Sequence, residues 1–150
     1  MRAIGSRLPR LEDRALLTGA GCYVGDIAAP DALHGAFVRS PHPRALIAAV
    51  DTAAARALPG VLAVLVLDDL VPAMARRRMV RTSNSGTPLD RCWAFALADG
   101  EVSYVGEPVA LVLATNRYIA EDAAALVDVT YDILPAAVDC RDAARAGRMS

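Results

Sequence analysis

Proline and glycine cut the apolar residues of this chain into short lengths. Pro41 and Pro43 follow residues 33–40, and Pro59-Gly60 precedes residues 61–67. Gly106-Glu107-Pro108 precedes residues 109–114, and Pro135 follows residues 127–133. Proline lacks the N–H that a strand ladder uses, and glycine favours turns, so each run is limited to one strand or one short helix. No run reaches the roughly 18–20 residues of a membrane span, and none is expected.

Within these limits the runs read as alternating strands and helices. Residues 33–40 and 45–50 are expected to be strands. Asp51-Thr52 offer N-cap oxygens for a short helix over 53–58, and the β-prone run 61–67 is expected to be a strand buried on both faces. Asp68-Asp69-Leu70 suggests a helical turn. Strands follow at 102–105, 109–114 and 127–133, with a helix from Thr115 or Asn116 to about Leu126. That helix carries Ile119, Ala123 and Leu126 at helical spacing. Strand, capped helix, strand thus occurs twice, at 45–67 and 109–133. The expected class is α+β: one mixed sheet with two short crossover helices packed on one face.

The organisation falls into three parts. Residues 1–32, rich in Arg, Gly and Asp, read as an extended arm with turns at Gly19, Gly21 and Gly25. Residues 33–140 form the domain, interrupted by a long irregular loop at 72–100. Residues 141–150 read as a linker or tail.

Composition removes several function classes. The chain has 150 residues, 55% hydrophobic and 22% charged, which is globular rather than disordered. Its net charge of −1 argues against a nucleic-acid protein. All its basic residues are arginine, so lysine Schiff-base and P-loop chemistry are unavailable. Three separated cysteines, Cys22, Cys92 and Cys140, do not make a disulfide framework. The first seven residues carry no apolar stretch of the signal-peptide kind, and the cytoplasm is the expected compartment.

No complete catalytic constellation appears. Gly19, Gly21 and Gly25 miss the dinucleotide-loop spacing by one position and lack a flanking strand and helix. His34, His42, Cys22 and Cys92 contain no local pair of zinc-ligand spacing. Adjacent carboxylates (Glu12-Asp13, Asp68-Asp69, Glu121-Asp122) diverge along a helix or strand. Arg76, Arg77, Arg78 and Arg81 are either a solvated loop or a docking surface. Glu107, in the turn before a buried strand, is either a structural turn residue or an interface contact. By itself the chain reads as a folded module without its own active site: no catalytic, cofactor-binding or metal-binding residues are assigned.

Several segments, in order, resemble a known family. They are Arg10-Leu11-Glu12-Asp13, Leu16-Leu17-Thr18-Gly19, Tyr23-Val24-Gly25-Asp26 and Leu33-His34-Gly35-Ala36-Phe37-Val38-Arg39-Ser40-Pro41-His42. They continue with Val50-Asp51-Thr52, Leu58-Pro59-Gly60-Val61, Tyr104-Val105-Gly106-Glu107-Pro108-Val109-Ala110, Ala120-Glu121-Asp122-Ala123-Ala124 and Val129-Thr130-Tyr131-Asp132-Ile133-Leu134-Pro135-Ala136. This set is similar to the N-terminal part of the molybdopterin-binding large subunits of the xanthine dehydrogenase and aldehyde oxidase family, nearest the carbon monoxide dehydrogenase branch.

The resemblance implies an α/β-hammerhead domain inside a larger subunit. It implies an oxidoreductase complex that hydroxylates aldehydes or N-heterocycles, or oxidises carbon monoxide, with a molybdenum–pterin cofactor, 2Fe-2S clusters and usually FAD. None of these is expected on this chain alone. The implied partners are the molybdopterin-binding remainder, an iron–sulfur subunit and an FAD subunit. Gly106, Glu107, Pro108, Arg39 and His42 are grouped as candidate interface residues. A rival reading is a stand-alone interaction or cofactor-assembly module of the same fold.

Overall fold

A computed structural model describes residues 4–5, 10–27, 29–74, 76–79 and 95–141. The chain divides into two units, Met1–Ala32 and Leu33–Ser150.

In the first unit the sequence reading expects extended chain, but Asp13–Leu17 forms a one-turn helix, α1. Local hydrogen bonds account for it. The Asp13 carboxylate accepts the Arg10 N–H at 3.3 Å, and Thr18 Oγ1 donates to the Arg14 carbonyl at 2.8 Å. The helix closes with Ala20 N–H on the Ala15 carbonyl, the Schellman pattern. Val24–Asp26 adds a 3-10 turn, with the Asp26 carboxylate accepting the Tyr23 N–H at 2.9 Å.

The second unit contains β1 (His34–Arg39), β2 (Ala45–Asp51), α2 (Ala53–Arg56), β3 (Val61–Leu65), α3 (Leu67–Leu70), β4 (Glu101–Val102), β5 (Pro108–Ala114), α4 (Arg117–Ala125) and β6 (Asp128–Ile133). The α+β class is as expected. The expected single mixed sheet resolves into two sheets of three strands, ordered β1-β5-β3 and β4-β2-β6. Every described strand pairing is antiparallel. The reason lies in the crossovers. The helix between β2 and β3 carries the chain from the second sheet to the first, and α4 between β5 and β6 carries it back. A strand–helix–strand unit makes a parallel pair only when both strands join one sheet.

The two helices pack beside each other on the first sheet, α4 over β1, β5 and β3, and α2 against β3 and α4. Asn116 caps α4, its side-chain oxygen accepting the Ile119 N–H at 2.9 Å. Before α2 the N-cap Thr52 makes no side-chain cap bond, and Asp51, one residue earlier, accepts the Ala53 N–H at 2.8 Å in an Asx turn. Beneath the helices, Ala55, Val64, Val112, Ala123 and Val127 form one core cluster. Ala45, Ala98, Val102 and Val109 form a second, against the inner face of β2 and β6. Small side chains dominate both, as expected for a chain that is only 5% aromatic.

Candidate functional site

The residues singled out in the sequence meet at one corner, where β1 ends and β5 begins. The register of these strands shifts between Val38 and Arg39, so that Arg39 lies opposite Pro108 and Val109 is the extra residue of a bulge. Proline fits there because it has no N–H to leave unpaired, while its carbonyl accepts the Ala98 N–H at 2.7 Å.

Ser40, only 2% exposed, knots the corner together. Its N–H donates to the Glu107 carbonyl at 2.9 Å, and its carbonyl accepts the Gly106 N–H at 2.8 Å. Its hydroxyl accepts the His42 N–H at 3.0 Å and lies 3.1 Å from the His42 carbonyl, a turn closed by a side chain. The His42 ring stands edge-on to Tyr131, centroids 5.0 Å apart. Burial pushes the Tyr131 phenol above its ordinary pKa, and a hydrogen bond with Ser40 opposes this.

Arg39 donates from Nη1 to the Gly106 carbonyl at 2.8 Å, with its guanidinium 5.1 Å from the centre of the Phe37 ring. Gly106 has φ +89°, a conformation that side chains rarely adopt, so the turn requires glycine for its backbone. The Glu107 side chain is directed inward. Its residue is 6% exposed and its carboxylate accepts the Ser103 N–H at 2.5 Å. Glu107 thus braces the turn, and the corner presents Tyr104, Val105 and Phe37 outward, each about half exposed or more. Sequence reasoning passed over these three. Phe37 was detectable: it is a bulky residue between Ala36 and Val38 in a chain with two phenylalanines.

The arginine cluster does not act as a unit. Arg77 clasps Asp99 with Nε at 2.8 Å and Nη2 at 2.5 Å, and reaches Asp68 with Nη1 at 2.9 Å. The pair of hydrogen bonds from Arg77 holds the Asp99 carboxyl below its ordinary range. Arg78 pairs with Phe95 through the backbone and lays its guanidinium over that ring at 4.3 Å. Arg76 is exposed, and Arg81 lies outside the described residues. A cleft of about 380 Å³ beside this clasp is lined by Ile47, Val50, Arg56, Leu67, Arg77 and Asp99, among others. Its arginines are already engaged: Arg77 by Asp68 and Asp99, and Arg56 by donating to the Val64 carbonyl at 2.6 Å and the Thr52 hydroxyl at 3.0 Å, with Asp69 4.0 Å away.

Among the described residues no three of His, Cys, Asp or Glu gather where they could hold a metal ion. Cys22 and Cys140 are exposed free thiols, and Cys92 lies outside the described residues. The described residues therefore offer no donor set for a metal centre or iron–sulfur cluster. No helix among them is long and apolar enough to cross a membrane.

Residues 18–135 match the family model described as aldehyde oxidase and xanthine dehydrogenase, a/b hammerhead domain. The chain is 39% identical over 139 residues to the carbon monoxide dehydrogenase large chain of Afipia carboxidovorans, covering 93% of this chain and 16% of that one. It is 41% identical over 147 residues to the nicotine 6-hydroxylase large subunit of Paenarthrobacter nicotinovorans, covering 96% of this chain and 17% of that one. A crystal structure of the Cu,Mo-CO dehydrogenase superposes with a TM-score of 0.79 at 41% identity, over 93% of this chain and 16% of that one. The chain thus spans about one-sixth of the length of the relatives it matches. With this fold and this ordered match, the chain belongs to the aldehyde oxidase and xanthine dehydrogenase family, as its α/β-hammerhead domain.

Proposed function

We propose that this chain is a structural, non-catalytic part of a molybdenum-dependent hydroxylase or dehydrogenase. The whole complex would be an oxidoreductase acting on an aldehyde, an N-heterocycle or carbon monoxide. One observation carries this reading: the match covers nearly all of this chain but only 16–17% of its relatives. The molybdenum–pterin cofactor, 2Fe-2S clusters and FAD then belong to the rest of the complex. The partners are the molybdopterin-binding remainder, an iron–sulfur subunit and an FAD subunit, in the cytoplasm.

In this reading residues 1–32 are an arm, 33–140 the domain and 141–150 a linker. Gly106, Glu107, Pro108, Arg39 and His42 shape a corner that meets the remainder, with Glu107 bracing it from within. Co-expression of the tagged chain with a molybdopterin-binding remainder, followed by affinity purification, tests the proposal. The expected result is a stable complex carrying molybdenum, and no turnover by the chain alone. Tight molybdopterin binding or aldehyde oxidation by the isolated chain overturns it.

A further inference from the structure

Apart from His34 and Arg39 at the two ends of β1, the sheet of β1, β5 and β3 is apolar on both faces, with the Arg39 guanidinium 5.1 Å from the centre of the Phe37 ring at its margin. On one face, Val38, Val64 and Val112 pack with Ala55 and Ala123 of the two helices. On the other, two cross-strand rows follow from the register. Gly35 lies opposite Leu113, and Leu113 opposite Ala63; Phe37 lies opposite Leu111, and Leu111 opposite Leu65. A methyl group built on Gly35 would sit 3.4 Å from Leu111 Cδ1 and 3.7 Å from Leu113 Cδ2, which puts both leucines on that face. None of the six residues is polar, yet Phe37 is 47% exposed and the two leucines are only partly buried.

The second sheet shows what a water-facing surface looks like in this protein. Its outward rows pair Leu46 with Asp132 and Glu101, Ala49 with Thr130, and Asp51 with Asp128. An antiparallel sheet with a solvated face alternates apolar and polar residues in this way, whereas strands covered on both sides are apolar throughout. Leu111, Val112, Leu113 and Ala114 of β5 follow the second pattern, but among the described residues of this unit helices cover only one side.

We infer that the face formed by Gly35, Phe37, Ala63, Leu65, Leu111 and Leu113 is a docking surface for an apolar surface on the remaining polypeptide of the same large subunit. This rests on the proposed function. Two observations choose this occupant. About five-sixths of the length of the relatives lies beyond the matched segment. The face is also small. Three strands about 4.8 Å apart and two residue rows span on the order of 200 Å². Association of two free copies needs about 800 Å² on each. A patch of this size suits a neighbour already held in the same subunit, where further contacts share the work.

Hydroxyl-radical footprinting tests the inference, using the full 150-residue chain alone and co-expressed with the Afipia carboxidovorans large chain from which the matching segment has been removed. The expected result is at least fivefold less oxidation of Phe37, Leu111 and Leu113 in the complex, referred to Leu46 on the polar-faced sheet. Phe37→Gln, with its fold checked by circular dichroism of the isolated chain, should weaken the complex at least tenfold, while Leu46→Gln should not. A complex that forms with Phe37 still fully labelled overturns the docking face and leaves the proposed function standing. Failure of the wild-type chain to form any complex overturns the proposed function, and this occupant with it. Protection of Phe37 already present in the isolated chain, whether concentration-dependent or not, assigns the face to a second copy or to the chain's own residues and overturns the inference.

Discussion

Arg39 and Gly106 stand 67 positions apart in sequence, and the guanidinium of the first donates to the carbonyl of the second at 2.8 Å. The contact ties the end of β1 to the turn before β5. Replacement by Met keeps the aliphatic stem and removes the donor. Arg39 is exposed, so the hydrogen bond contributes at the low end of the usual range, about 0.5–1 kcal/mol. Urea denaturation of Arg39→Met should show a small loss of stability with an unchanged m-value. A loss well above that range would mean the corner depends on the charge itself.

Glu107 should matter more, because it is buried and its acceptor serves a backbone N–H. Glu107→Ala leaves the Ser103 N–H without that partner, a change that costs about 1–3 kcal/mol. Glu107→Gln retains a carbonyl oxygen and should lose less. Equal destabilisation by the two variants, measured as denaturation midpoints, would contradict the role given to the carboxylate oxygen.

Gly60 closes the turn between α2 and β3 with φ +92°, and a methyl group there would meet Ile119 Cδ1 of α4 at 2.7 Å. Gly60→Ala therefore combines backbone strain with a clash and should cost about 1–3 kcal/mol. Ile119→Val removes the Cδ1 atom. In the double variant the Cδ1 part of the clash should be recovered, while the contact with Thr115 Oγ1 at 3.0 Å and the backbone part remain, so the two substitutions should couple favourably. Strict additivity would show that the clash relaxes without cost.

Asp99 gives the domain a defined acid response. Arg77 holds its pKa below the ordinary value of 3.8, so the folded state binds the proton less readily than the unfolded chain. The stabilisation is complete above that ordinary value and is lost as pH falls below it, through the folded-state value. Asp99→Asn should be less stable than wild type at pH 7, and the gap should narrow as pH falls below the ordinary carboxylate value of 3.8. A gap that is constant across this range would remove the Arg77 pairing as its cause.

Local signals were legible in the sequence, and long-range ones were not. Asn116 before an apolar-periodic run announced α4, and its cap is present. The strand expected over 102–105 stops at Val102. The Glu107 side chain takes the Ser103 N–H that a longer strand would offer to a neighbour, and Gly106 then turns the chain. The run 61–67 was expected to be covered on both faces, but on the side of β3 that carries Ala63 and Leu65 these residues are only partly buried, and Leu62 bulges out of register at 56% exposed. The division into two sheets had no local signature, since a capped crossover helix looks the same whether it returns to its own sheet or passes to another. The corner was legible as a set of residues. Its geometry was not, because Arg39 meets Gly106 only through the β1–β5 pairing, and Tyr131 reaches His42 and Ser40 from the other sheet.

The passage of each crossover helix from one sheet to the other has a consequence for synthesis. β5 is the central strand of its sheet, and β6 is an edge strand of the other. A nascent chain released as far as residue 107 holds β1 and β3 with nothing between them, and β2 with only the two residues of β4 as its partner. The first sheet has all its strands once residue 114 has emerged, whereas β2 gains its long partner only at residue 133, so truncation between these points removes β6 from the second sheet and truncation before residue 108 breaks both sheets.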